Sequence, residues 1–219
     1  MLPALSPLNV LTSNMKKNCS LACLLFLIVS AEAQPAPTAY LAFLNAVGLP
    51  SKTDVRIDGN SLKPAGFPEG NYIESFGLPT GSHQFSFINA DCTPVTQPIV
   101  VGPAPAPLYV LYNVPVQQPD GKKKQVLKLF TVPGQPPAQS QRRFFALYAS
   151  DRPSTRVTIN QASVSLASGK VFTLTASSLD VTTDPKQPMH YNPSRPGNYI
   201  IVFFDGSDAR LHQALLQME

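Results

Sequence analysis

From residue 39 onward the chain is a succession of short apolar runs, each closed by turn residues. Residues 39–47 are apolar at almost every position. Residues 53–58 alternate strictly, with Val55 and Ile57 on one face and Asp54, Arg56 and Asp58 on the other. That period of two predicts a half-buried strand, and Asp58-Gly59-Asn60 behind it predicts a tight turn. Residues 71–76 carry Tyr72, Ile73 and Phe76, and Leu78-Pro79-Thr80-Gly81 turns the chain into 84–88, where Phe85 and Phe87 share a face. Residues 95–101 and 108–114 are two more apolar runs; Pro119-Asp120-Gly121 opens a tip from which 126–132 returns. The segment 133–141, PGQPPAQSQ, has no apolar period and predicts a linker. The pattern then restarts: 143–149 is apolar, 155–160 alternates with Val157 and Ile159 inward, and 170–175 is strand-like. Residues 183–198, rich in Pro and Asn, predict a loop. Residues 199–204 form the most apolar run of this half, and Asp205-Gly206 turns it toward 209–216, a strand or a short terminal helix.

The restart is an internal repeat. Ala42-Phe43-Leu44-Asn45-Ala46 lines up with Ala146-Leu147-Tyr148-Ala149-Ser150, and Thr53-Asp54-Val55-Arg56-Ile57-Asp58-Gly59 with Thr155-Arg156-Val157-Thr158-Ile159-Asn160-Gln161. The late hairpins, 108–130 and 199–216, match in the same order. The fold predicted is all-β, two tandem small β-sandwich (immunoglobulin-like) domains at 38–132 and 142–219, joined by the linker 133–141. Neither half carries the Cys–Trp–Cys spacing of true immunoglobulin domains.

Composition agrees with this reading. Only 14 % of the 219 residues are charged, against roughly 25 % in an ordinary globular protein. With 23 prolines and no Trp, short strands and tight turns are favoured over helices. Residues 15–33 have the three parts of a cleavable secretory signal: basic Lys16 and Lys17, the apolar stretch 21–29, and Ala31-Glu32-Ala33 as the cleavage site. The apolar stretch is about half the roughly 20 residues that span a bilayer, so a membrane anchor is not expected. Residues 1–14 precede the second methionine and lack such a pattern, so Met15 is the expected start and 1–33 the over-extended start plus signal. The mature chain is expected to be periplasmic or secreted. Removing 1–33 leaves 15 basic and 12 acidic residues, a formal +3. That is too mild for nucleic acid and compatible with weak, salt-sensitive contact to a polyanion.

Cleavage also removes Cys19 and Cys23 and leaves Cys92 alone, so no intramolecular disulfide can form. A lone Cys92 reads as a small buried residue or as a thiol for a mixed disulfide. His83, His190 and His212 sit in no metal-ligand spacing, and no Gly-rich phosphate loop is present; no catalytic residue, cofactor or metal is expected. Gly81-Ser82-His83 invites a nucleophile reading but fits a turn entering a strand. Asp205-Gly206-Ser207-Asp208 is neither an acyl-transfer G-D-S block nor a calcium loop, and reads as a hairpin tip. Lys122, Lys123 and Lys124 follow Asp120-Gly121 and should project at a tip. They either discourage edge-to-edge pairing or, with Arg142 and Arg143, contact uronate carboxylates.

Asn45-Ala46, Val55-Arg56-Ile57-Asp58-Gly59 and Leu78-Pro79-Thr80-Gly81 resemble the signature segments of the bacterial extracytoplasmic DUF4397 domain family. The two-domain layout, signal and length are similar to the periplasmic alginate biosynthesis AlgF family, whose second domain 145–150 and 164–175 resemble. That resemblance implies a non-catalytic accessory protein assisting exopolysaccharide O-acetylation. Its partners would be other extracytoplasmic proteins of a polysaccharide-modifying complex, or anionic polysaccharide itself. The alternative it implies is a cell-surface or matrix binding module unrelated to acetylation.

Overall fold

A computed structural model describes residues 37–218 apart from 104, 137, 139 and 184–187. The signal segment 15–33 and the residues before it lie outside the described residues. The first half forms β1 (Thr38–Asn45), β2 (Thr53–Ile57), β3 (Asn60–Ser61), β4 (Tyr72–Pro79), β5 (Gly81–Asn89), β6 (Val95–Val101), β7 (Leu108–Gln117) and β8 (Lys123–Val132). The second half forms β9 (Arg142–Ala149), β10 (Ser154–Ile159), β11 (Ala162–Ala167), β12 (Val171–Leu174), β13 (Leu179–Thr182), β14 (Met189–Tyr191), β15 (Gly197–Asp205) and β16 (Leu211–Met218). Among the described residues there is no helix, so the terminal segment is a strand and not a helix.

The first half builds sheets β4-β1-β7-β8 and β3-β2-β5-β6; the second builds β12-β9-β15-β16 and β11-β10-β13-β14. Adding eight to each label converts one pair into the other. Both halves also place their first strand parallel to their seventh, β1 beside β7 and β9 beside β15. The repeat extends to turn chemistry. Asp58 and Gly59 (φ 50° and 84°) close β2 onto β3, and Asn160 and Gln161 (φ 48° and 68°) close β10 onto β11. Two left-handed residues in a two-residue loop suit the twist of a hairpin; in the second copy Gln161 stands where glycine would be free of strain.

Three apolar cores separate four layers. Val55, Ile57, Phe85 and Phe87 pack with Leu41 and Phe43 inside the first sandwich. Val157, Ile159 and Val181 pack with Phe144, Tyr148 and Phe203 inside the second. A third core joins the halves: Ala42, Leu44, Leu108 and Val110 meet Leu147, Ile200, Val202 and Phe204. The inner sheets, which hold β1 and β15, therefore bury both faces. This is why 39–47 and 199–204 are apolar at successive positions while β2 and β10, in the outer sheets, alternate.

The faces also correct the alignment of the first strands. Ala42 and Leu44 point into the shared core, but Ala146 and Tyr148, their counterparts by sequence similarity, point into the second sandwich. The equivalence is displaced by one residue, and a one-residue slip exchanges the faces of a strand. The linker lies along this body: Gly134 sits against the backbone of Pro105, Asn198 Nδ2 donates to Pro136 O at 2.9 Å, and Ala138 is buried.

One polar clip ties the first sandwich at the start of β5. His83 places Nδ1 2.6 Å from Asp58 Oδ2 and Nε2 2.7 Å from Pro79 O. Two acceptors on one ring favour imidazolium. The Asp58 hydrogen bond, then the Pro79 carbonyl, raise the His83 pKa above its ordinary value, and the bond to His83 lowers that of Asp58. For His83 the stabilisation is full below its unfolded pKa and is lost as pH rises through the raised folded value. For Asp58 it is present above the unfolded pKa and is lost as pH falls through the lowered one. The clip should contribute most from about pH 4 to 6.5, the interval between the ordinary carboxyl and imidazole values. His83→Gln should lower Tm within that interval and converge on the wild type as pH rises through the raised folded value. Parallel Tm–pH curves would contradict it.

A basic depression at the head of the ninth strand as candidate functional site

In β9 the odd and even positions serve different cores. Phe144, Ala146 and Tyr148 face the second sandwich, so Arg142 at the head of the strand faces that way too. Arg143 shares a face with Phe145 and Leu147, toward the first half. The first residue of β1 that faces into its own sandwich is Ala39, 2 % exposed, which pairs with Leu78 and packs in the core. The two repeats thus close the same end differently, one with an alanine in the core and the other with a guanidinium.

Strand length makes the difference: β4 stays paired with β1 as far as Pro79, whereas β12 stops pairing with β9 at Leu174. In the first half Thr80 alone separates β4 from β5, and its N–H donates to Pro37 O. In the second half residues 175–178 separate β12 from β13. Residues 175–177 of this unpaired stretch line an open depression of about 790 Å³. Arg142, Arg143, Thr173, Thr175, Ser177 and Ser194 contribute to its lining, together with the apolar side chains of Leu174, Ala176 and Pro196. Arg142 Nη1 donates to Ser177 O at 3.1 Å and to Asn192 Oδ1 at 2.8 Å, which holds the guanidinium across the mouth. Among the described residues no carboxylate pairs with either arginine. The mouth presents planar, fork-like positive donors beside hydroxyl groups that both donate and accept.

Lys122, Lys123 and Lys124 lie elsewhere. They are exposed at the tip of the β7–β8 hairpin, where Gln118 N donates to Lys122 O and Lys123 pairs with Gln117. Leu108 and Val132 form the other end of that ladder. Nine residue steps separate Lys123 from Val132, roughly 30 Å at about 3.3 Å per residue. Beyond Val132 the linker reaches Asn198, the β15 partner of Arg143. The lysines and the arginine pair therefore occupy opposite ends of the hairpin and form separate positive patches.

The other chemistry-bearing residues have structural partners. Ser82 makes no bond to His83, whose two ring nitrogens are occupied as above. Residues 205–210 form the β15–β16 turn, where Asp205 accepts from Ser150 and, at 2.8 Å, from the Tyr148 hydroxyl. Glu69 of the first half accepts from Ser207 N at 3.1 Å, a contact between the halves at this turn. Cys92 is buried, and burial followed by the neighbouring Asp91 charge pushes its thiol up to about 11; thiolate is scarce at neutral pH. The sequence reading found Arg142 and Arg143 but not the hydroxyl wall.

Fold and site together define a tandem β-sandwich protein with an open, arginine-bearing depression at the end of its second repeat. No protein-family model and no curated protein matches the chain.

Proposed function

We propose that this chain is an exported, non-catalytic accessory protein that holds an anionic exopolysaccharide of the alginate type during its O-acetylation. The depression at the head of β9 carries this reading: two arginines without carboxylate partners among the described residues stand beside hydroxyl side chains, a composition suited to an acidic, hydroxyl-rich polymer. The lysine tip adds a second patch of long-range attraction, screened beyond roughly 10 Å at 0.1 M salt. In affinity electrophoresis the mature protein should be retarded by a polyuronate and not by a neutral glucan. Deleting the gene should lower the acetyl content of the exported polymer. Absence of retardation, or acetyl transfer by the purified protein alone, would overturn the reading.

A second reading is a cell-surface or matrix binding module unrelated to acetylation. Its support is the placement of the family-like segments: Asn45 ends β1, Asp58-Gly59 makes the hairpin turn, and Thr80-Gly81 crosses between sheets. These are framework positions that any such domain would use. Unchanged acetyl content in the deletion strain, with polymer binding intact, would select it.

A further inference from the structure

We infer that the depression at the head of β9 is a carboxylate-reading site for an acidic saccharide, formed where the second repeat departs from the first. The inference rests on the polyanion reading above and deepens it by locating the contact and dividing its labour.

The comparison between repeats carries the argument. The two halves share strand order, parallel pairing and even the left-handed hairpin turn. At this end they diverge. The first half keeps β4 paired with β1 out to Pro79 and buries Ala39 and Val101. The second half has Arg142 in place of Ala39, and its β12 stops pairing at Leu174, which leaves 175–178, rich in hydroxyl side chains, outside the sheet. A guanidinium is a costly substitute for an alanine at a core mouth unless its donors are satisfied. Ser177 O and Asn192 Oδ1 both bond to Nη1, which fixes the plane of the group. No bond from Nε or Nη2 to a described residue accompanies them. A fork held in this way is pre-organised for a planar carboxylate, and less freedom is lost on binding.

Arg143 is exposed on the opposite face of the strand, at its head, where it too borders the depression. It supplies charge without a fixed geometry. The hydroxyls of Thr173, Thr175, Ser177 and Ser194 can pair with sugar hydroxyls, whereas an acidic peptide offers mainly amides and carboxylates. The volume, about 790 Å³, falls within the roughly 300–1,000 Å³ of small-molecule sites and suits a short segment of chain. Arg142 thus orients the carboxylate, Arg143 attracts it, and the 175–178 stretch reads the ring hydroxyls.

The test uses the mature chain with three probes: a short oligouronate, a neutral hexose oligomer of equal length, and oligoglutamate. Amide chemical-shift mapping with the oligouronate should move residues 173–177 and 194, and leave the lysine tip at Lys122–Lys124 unmoved. Arg142→Gln should weaken oligouronate binding about ten- to a hundredfold, the loss expected for charged hydrogen bonds. Arg142→Lys should recover only part of it. Arg143→Gln touches neither Ser177 nor Asn192, and so tests the site even if Arg142→Gln misfolds; it should weaken binding at low salt and matter little at high salt. The inference is overturned if the oligoglutamate or the neutral oligomer binds as well as the oligouronate, or if both glutamine variants bind like the wild type. Retardation by the polymer combined with shifts confined to the lysine tip would overturn the site and leave the polyanion reading standing. No retardation by the polymer would remove both.

Discussion

Leu147→Asp should unfold both halves of the protein together. Leu147 is fully buried in the middle core, where it belongs to the same cluster as Ala42, Leu44 and Val110 of the first half and Val202 and Phe204 of the second. A carboxylate there has no partner and leaves water at a cost of several kcal/mol, comparable to the whole stability of a domain, roughly 5–15 kcal/mol. In two independent sandwiches the damage would stop at the linker. Here the inner sheet of the first half would lose the apolar surface that covers Leu44 and Val110. Urea unfolding followed by tyrosine fluorescence and circular dichroism should show one coincident transition in the wild type and no folded baseline in the variant. Val100→Asp, at a position 77 % exposed, should change stability by less than about 0.5 kcal/mol. A protease-resistant first half surviving in Leu147→Asp would refute a shared core.

The second large effect is expected at a glycine. Gly48 donates its N–H to Asn113 Oδ1 at 2.9 Å, and a Cβ on it would run into the carbonyl oxygen of Asp205 in the second half. The obstacle is backbone, which cannot rotate away as a side chain would. Gly48→Ala should therefore press the β15–β16 turn outward and disturb the Glu69 contact with Ser207 beside it. The cost should be about 1–3 kcal/mol, the usual range for overpacking, at roughly 2–4 °C of Tm per kcal/mol for a chain of this size. Gly102→Ala is the control: no heavy atom lies within 4 Å of its added Cβ, so Tm should hold or rise slightly. Equal melting of the two variants would show that the halves do not approach at Gly48.

These expectations show where local pattern stops being informative. Strict alternation at Val55 and Ile57, and again at Val157 and Ile159, identified strands with one wet face. Continuous apolar runs at 39–47 and 199–204 carried the further message that some strands have no wet face, but a run of that kind does not say what covers its second side. The short signals were weaker still. Met189–Tyr191 lies in a stretch read as loop, and its pairing with β13 depends on residues remote in sequence. The alignment of the first strands slipped by one because Ala, Leu and Phe suit either face when both are buried.

The candidate site follows the same division. Arg142 and Arg143 were legible as charges in an otherwise apolar strand, and Lys122–Lys124 as a tip behind Asp120-Gly121. Pairing those two groups into one contact was a matter of chain proximity, and an extended hairpin separates them because each residue step carries it about 3.3 Å farther. The hydroxyls of the 175–178 crossing have no pattern of their own. They gain meaning only when the sheets place them around Arg142.

Local pattern along the chain was enough for the all-β class, twelve of the strands and their repeat in outline, the turns at Asp58-Gly59 and Asp205-Gly206, and which of those strands would be apolar; Asn60–Ser61, Ala162–Ala167, Leu179–Thr182 and Met189–Tyr191 were not legible in it. Those properties depend on a period of two and on a few turn residues, both encoded over short stretches. What the tertiary structure had to supply is that the two sandwiches share a core, that the lysines and arginines stand apart, and that hydroxyls of 173–177 and Ser194 gather beside Arg142. Each of these depends on which surfaces meet across long separations, and the free energy of burial is indifferent to the order in which the chain supplies them.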